Sequence, residues 1–78
     1  GVVILKQFRE WLKQLRLEQN LNHEGVANAA NIHRAYYTMI EGGHRNPSVD
    51  VAKRIAAVLG FEWTRFFEDP PKDRAVNL

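Results

Sequence analysis

Residues 22–42 read NHEGVANAANIHRAYYTMIEG, and the fold turns on how this stretch is parsed. Asn22 is a natural N-cap, because its side-chain oxygen can accept a backbone N–H that the first helical turn leaves without a partner. Residues 23–30 place Val26, Ala27 and Ala30 on one face, so a short helix is expected there with that face turned inward. Gly25 is out of character, since glycine costs a helix interior about 1 kcal/mol relative to alanine. It also stands where an acid would complete a capping box with Asn22. Asn31 is expected to end the helix, asparagine being the best substitute for glycine in left-handed backbone geometry. Ile32 then serves as an apolar plug in the turn, and His33 is a poor cap for the second helix. That helix is predicted from Arg34 to about Gly42, with Tyr37 and Ile40 facing inward.

Toward the N-terminus, Ile4, Leu5, Phe8, Trp11, Leu12 and Leu15 recur at three- and four-residue steps. That is the apolar stripe of an amphipathic helix running to about Gln19, with Lys6, Arg9, Lys13 and Arg16 on its other faces. Leu21 packs inward before the next helix. Toward the C-terminus, Gly43 stops the second motif helix and a polar loop, His44-Arg45-Asn46-Pro47, comes after it. Ser48 caps a helix whose inward stripe is Val49, Ala52, Ile55, Ala56 and Leu59, and Gly60 lies just past its end. A last short helix, about Glu62 to Phe67, carries Trp63, Phe66 and Phe67. With no strand pattern and no internal repeat, the expectation is a compact all-α domain of five helices over residues 1–68. Residues 69–78, with Pro70-Pro71 and mixed charge, read as an extended or mobile tail.

Composition narrows the function classes. Seventy-eight residues suffice for one small domain, and 45% hydrophobic with 26% charged residues is ordinary for a globular chain. There is no cysteine, hence no disulfide and no thiolate zinc site, which is compatible with a reducing cytoplasm. The run Val2-Val3-Ile4-Leu5 is too short to span a bilayer and is succeeded at once by charge, unlike a secretion signal. Gly1 in the place of a methionine suggests trimming from a longer product. The net charge is +2, and all of the excess lies within residues 1–47, together with His23, His33 and His44. The histidine spacings match no zinc pattern, so no metal or other cofactor is expected. Glu41 has no nucleophile, phosphate loop or second carboxylate beside it, so an enzyme is not expected; Glu41 is read instead as fixing the 44–47 loop through backbone or Arg45 hydrogen bonds. No small-molecule ligand is indicated.

Two short helices with a small residue at their crossing (Ala27), a left-handed turn residue (Asn31), an apolar plug (Ile32) and two inward residues (Tyr37, Ile40) satisfy the requirements of a helix-turn-helix. Such a motif buries one stripe of its second helix so that the opposite face can enter the DNA major groove. From Leu12 to Phe67 the chain resembles the lambda-repressor and Cro-type helix-turn-helix family, especially its small single-domain regulators. The likeness rests on LNHEGVANAANIHRAYYTMIEGGHRNPSVDVAKRIAAVLG, including Ile40-Glu41-Gly42-Gly43 and Arg45-Asn46-Pro47-Ser48. The resemblance implies that His23 stands where a glutamine often touches phosphate. It puts Arg34, Ala35, Thr38 and Met39 on the groove-facing side, Tyr36 near the DNA backbone, and His44, Arg45 and Asn46 in a loop that approaches phosphates. His23, Gly25, Asn31 and His33 depart from the family's glutamine, acid, glycine and serine or threonine, and together predict a looser first motif helix. Of the reading face, Arg34 can pair with O6 and N7 of guanine, while Ala35 and Met39 offer apolar contact to a thymine methyl.

Phe61, Trp63, Phe66 and Phe67 are needed chiefly to close a small core. Val51 and Val58, seven residues apart, lie off the main stripe of their helix and with Phe61 or Trp63 could form an apolar homodimer patch. The function expected is a sequence-specific regulator of transcription, a repressor of prokaryotic or phage type, cytoplasmic and nucleoid-associated. It would bind double-stranded DNA as a homodimer on a two-fold operator. The competing reading is a protein-interaction module or antitoxin-like subunit that kept the fold and lost strong DNA binding, for which Gly25, Ala35, Met39 and the modest charge speak.

Overall fold

A computed structural model describes residues 8–68. They form four α-helices, α1 (Glu10–Glu18), α2 (His23–Ala30), α3 (Arg34–Glu41) and α4 (Val49–Leu59), and then a single 3-10 segment, Trp63–Phe67. The fifth element is thus not an α-helix. Its tighter pitch aligns side chains three apart, and Trp63 and Phe66 both pack on the core while Phe67 stays exposed. Among the described residues there is no strand, and no helix is long and apolar enough to cross a membrane. The expectations for Ile4, Leu5 and Lys6 and for the tail at 69–78 fall outside the described residues.

The core is built from Leu12 of α1, Val26, Ala27 and Ala30 of α2, Tyr37 and Ile40 of α3, Ala52, Ile55, Ala56 and Leu59 of α4, and Phe66. α2 lies between α3 and α4, and its face is nearly all alanine and valine. Small side chains let three helices come close, which is why Ala27 is fully buried where α2 meets its neighbours. α1 closes the core from the other side, and Gln19 at its end donates to the Leu59 carbonyl at 2.8 Å.

Helix boundaries obey local chemistry. Asn22 accepts from the Gly25 N–H at 2.7 Å, and Ser48 accepts from the Val51 N–H at 3.2 Å. The first of these caps accounts for Gly25. A Cβ there would stand 3.2 Å from both the capping Oδ1 of Asn22 and Cδ2 of Leu21, so a side chain would push against the cap itself. Asn31 takes left-handed geometry, φ 60° and ψ 49°, and the Ile32 N–H turns back to the Ala27 carbonyl at 2.9 Å. His33 precedes α3 without a side-chain cap bond. Gly43 and Gly60 adopt φ of 82° and 78° after α3 and α4.

Three further sequence expectations are corrected. Phe8 precedes α1 and is 48% exposed, with the Lys13 ammonium 5.8 Å from its ring centroid, so it is not part of the inward stripe. Val49 shares the α4 stripe by spacing but occupies the helix's first position, ahead of the packed stretch, and is also exposed. Arg16, assigned to the polar side of α1, is buried. It lies one turn after Leu12, on the same face, and is tolerated there because a buried carboxylate meets it.

The turn supplies a direct test. Asn31→Gly is expected to leave stability within about 0.5 kcal/mol, whereas Asn31→Ala, which must place a Cβ in left-handed geometry, is expected to lose about 1–2 kcal/mol in urea unfolding.

Candidate nucleic-acid interface

α3 is held from beneath by one buried carboxylate. Glu41 is 2% exposed. Arg16 donates to it twice, Nε to Oε1 at 2.8 Å and Nη2 to Oε2 at 3.0 Å, and also donates from Nη1 to the Leu21 carbonyl at 3.0 Å. The Tyr37 hydroxyl donates to Oε1 at 2.7 Å. His23 brings Nε2 to 3.1 Å from Oε2 and Nδ1 to 2.8 Å from the Thr38 hydroxyl, its ring edge-on to Tyr37. One side chain therefore ties α1, α2 and α3 together. Burial acts to raise the Glu41 pKa, but hydrogen bonds from Arg16 and Tyr37 and the Arg16 charge outweigh it, and the carboxyl lies below its ordinary value. The Tyr37 hydroxyl is pushed up, first by burial and then by its bond to Glu41. Arg16 is raised, chiefly by its hydrogen bond to Glu41.

This overturns the expected role of Glu41. It does not fix the 44–47 loop; Arg9 does. The Arg9 guanidinium donates to the carbonyls of Ile40 and Arg45 and, at 2.7 Å, to Oδ1 of Asn46, while its backbone N–H meets the Glu41 carbonyl at 2.9 Å. The loop is further closed by the His44 and Arg45 N–H groups, which both point to the Met39 carbonyl.

With its inner face fixed, α3 presents Arg34, Ala35 and Thr38 as exposed residues. Met39 is half-buried, and Tyr36 is half-buried against the core. His44, Arg45 and Asn46 are exposed in the loop. His23 stands at the start of α2, behind Thr38, with both ring nitrogens engaged within the protein; a phosphate contact would require one of those bonds to break. Among the described residues no cluster of three His, Cys, Asp or Glu is disposed to hold a metal ion.

The residues expected to form an apolar patch are only partly free. Val51, Val58, Phe61 and Trp63 are all half-buried against the core. Phe61 packs on Trp11 and Phe66 at centroid distances of 5.1 and 5.5 Å. Phe61 and Trp63 line an open recess with Lys53, Ala57 and Gly60, in which Val51 and Val58 take no part. Arg9 and Arg16 are the residues missed as contributors to the site, and Glu41 was given the wrong role in it. For Arg16 the signal was its position on the apolar face of α1, four residues after Leu12.

A two-helix motif with a buried inner stripe, a left-handed turn and an exposed second helix belongs to a known class. A family model described as helix-turn-helix matches residues 12–66, and the chain belongs to that family. It is a family of DNA-binding transcriptional regulators rather than a class of enzymes. The chain is 62% identical over 61 residues to the uncharacterized HTH-type transcriptional regulator YqaF of Bacillus subtilis (strain 168), spanning 78% of this chain and 80% of that protein. Among solved structures it is similar to the restriction-modification controller protein C.AhdI from Aeromonas hydrophila, with 30% identity and a TM-score of 0.68 over 77% of this chain and 91% of that one. It is also similar to C.Esp1396I, solved bound to a 25 base pair operator site, with 27% identity and a TM-score of 0.63 over 86% and 88% of the two chains.

Because Glu41 is depressed in the folded state, its contribution is present above the unfolded carboxylate value of about 4.3 and is lost as pH falls through the lower folded value. Glu41→Gln, which leaves Arg16 buried without its counter-charge, is expected to cost about 3–5 kcal/mol at pH 7. In denaturant unfolding at stepped pH, the gap between wild type and variant should narrow only below about pH 4.

Proposed function

We propose that the protein is a transcriptional repressor that binds a two-fold operator as a homodimer, inserting α3 into the major groove of each half-site. The observation that carries the reading is how its basic side chains are used. Arg9 braces a loop, Arg16 pairs with Glu41 and Arg54 pairs with Asp50. Lys13, Lys53 and Arg65 lie over the rings of Phe8, Trp63 and Trp11. Among the described residues, Arg34 and Arg45 alone of the lysines and arginines have no side-chain partner, and both stand in the motif and its trailing loop. In this reading Arg34 pairs with a guanine, Ala35 and Met39 meet thymine methyls, and Thr38 reads a base edge. Tyr36, His44, Arg45 and Asn46 fix the register on phosphates.

With a net charge of +2, one copy binds weakly and two copies on half-sites about one DNA turn apart supply the affinity. Val51, Val58, Phe61 and Trp63 form the dimer contact. The operator-bound relative supports the mode of binding. A chain with this role works in the prokaryotic cytoplasm, at the nucleoid.

Binding to duplexes selected from a random library should weaken with salt, by the modest slope that one phosphate-facing cation in each copy sets, and Arg34→Ala should flatten preference among sites by roughly 5–150-fold. A salt slope near zero overturns the reading in favour of a protein-interaction module. Val58→Asp should convert a dimer to a monomer in sedimentation and weaken DNA binding; an unchanged mass removes the dimer patch from α4.

A further inference from the structure

We infer that His23 sets the hydrogen-bonding sense of Thr38, so that Thr38 reads its base as an acceptor and the base in contact is adenine or cytosine. The inference rests on the reading that α3 enters the major groove and goes beyond it in naming what one position selects. Glu41 is ionised and offers only lone pairs, and His23 Nε2 lies 3.1 Å from its Oε2. Nε2 must therefore carry a hydrogen. In the neutral ring the other nitrogen, Nδ1, is then bare and can only accept. Its partner at 2.8 Å is the Thr38 hydroxyl, which has to donate to it. A hydroxyl has one hydrogen. With that hydrogen given to His23, the Thr38 oxygen has only lone pairs to offer outward, and these match the amino groups of adenine N6 and cytosine N4, not guanine O6 or thymine O4.

The neutral ring is the electrically balanced state of the cluster, because Arg16 already compensates Glu41 through two hydrogen bonds. A second proton on the imidazole reverses the bond to Thr38. Nδ1–H then donates, the hydroxyl hydrogen is released, and Thr38 can meet a donor or an acceptor base alike. His23 is thus a positioning residue for base recognition, acting through Thr38 without touching DNA. The groups facing the ring are Glu41, Tyr37 and Thr38 of α3, with Arg16 of α1 behind Glu41 and Glu24 beside it on α2. Glu41 stays ionised and Tyr37 protonated at neutral pH, given the directions in which they are shifted.

The experiment uses the full chain and duplexes that it selects from a random library, with each operator position changed to all four bases. Thr38→Val, which keeps the shape and removes the hydroxyl, identifies the position read by Thr38 as the one whose preference it flattens. At that position wild type should favour adenine or cytosine by about fivefold, the fold-change of a single hydrogen bond. Thr38→Ser should behave as wild type. His23→Leu should bring the ratio at that position toward one while leaving the preferences at the other positions as in wild type. A guanine or thymine preference in wild type, an unrelaxed ratio in His23→Leu, or no position flattened by Thr38→Val overturns the inference. If in those cases binding is still salt-dependent and Arg34→Ala still alters selectivity, the DNA-binding reading stands and this inference alone fails. Absence of any selected duplex overturns both.

Discussion

The rest of the molecule depends on the ion pair between Arg16 and Glu41. A carboxylate that is 2% exposed is intolerable unless its oxygens are satisfied, and the donors come from three separate helices. Arg16 reaches it from α1, His23 from α2 and Tyr37 from within α3. α1 and α3 cannot assemble in a different register without leaving a buried guanidinium and a buried carboxylate bare. Apolar contacts between small helices tolerate sliding and rotation; a bidentate pair does not. The pair therefore restricts the arrangements open to the domain more than it adds to its stability, since desolvation of both charges opposes most of what their attraction contributes.

Fixing the inner face of an eight-residue helix fixes its outer face as well. Glu41 and Tyr37 lie one turn apart, as do Tyr37 and His33, and the rotation that brings the first two to Arg16 turns Arg34, Ala35 and Thr38 outward. The turn contributes the angle: Asn31 reverses the chain in left-handed geometry and the Ile32 N–H closes back on Ala27. Neither end of α3 is held by a side-chain cap of its own. Its stability comes from the groups it is packed and bonded against, so its outer surface is as rigid as the cluster beneath it.

Much of this is legible in the sequence because it obeys local rules. Asn22 and Ser48 as caps, Asn31 as a left-handed stop, and the inward stripes of α2 and α4 apart from Val49 depend on residues a turn apart. The illegible part comes from partners distant in sequence. Arg16 and Glu41 are 25 residues apart and Arg9 and Asn46 are 37 apart, so charge at each position reads as surface charge when seen alone. The histidine at 23 stands out in the sequence only as a replacement for glutamine, and its tie to Glu41 needs the fold. The final segment reads as a regular helix because its rings stand three and four residues apart, whereas in the structure only the three-residue pair, Trp63 and Phe66, meets the core and Phe67 does not.

The use of basic residues inside the protein bears on how tightly such a domain can hold DNA. Arginines that brace a loop, pair with a buried acid or lie over aromatic rings shape the surface but leave few cations to neutralise phosphate. Long-range attraction is correspondingly weak, because it scales with the charge that faces the DNA and is screened within about 10 Å at moderate salt. Recognition must then rest on geometry prepared before contact. That is what the internal arginines provide: Arg16 sets the rotation of α3, and Arg9 sets the loop that carries Arg45 and Asn46. A domain built this way gains little from binding loosely and much from binding in register. The same economy of cations makes two linked copies, each correctly seated, a more effective reader than one copy with a stronger field.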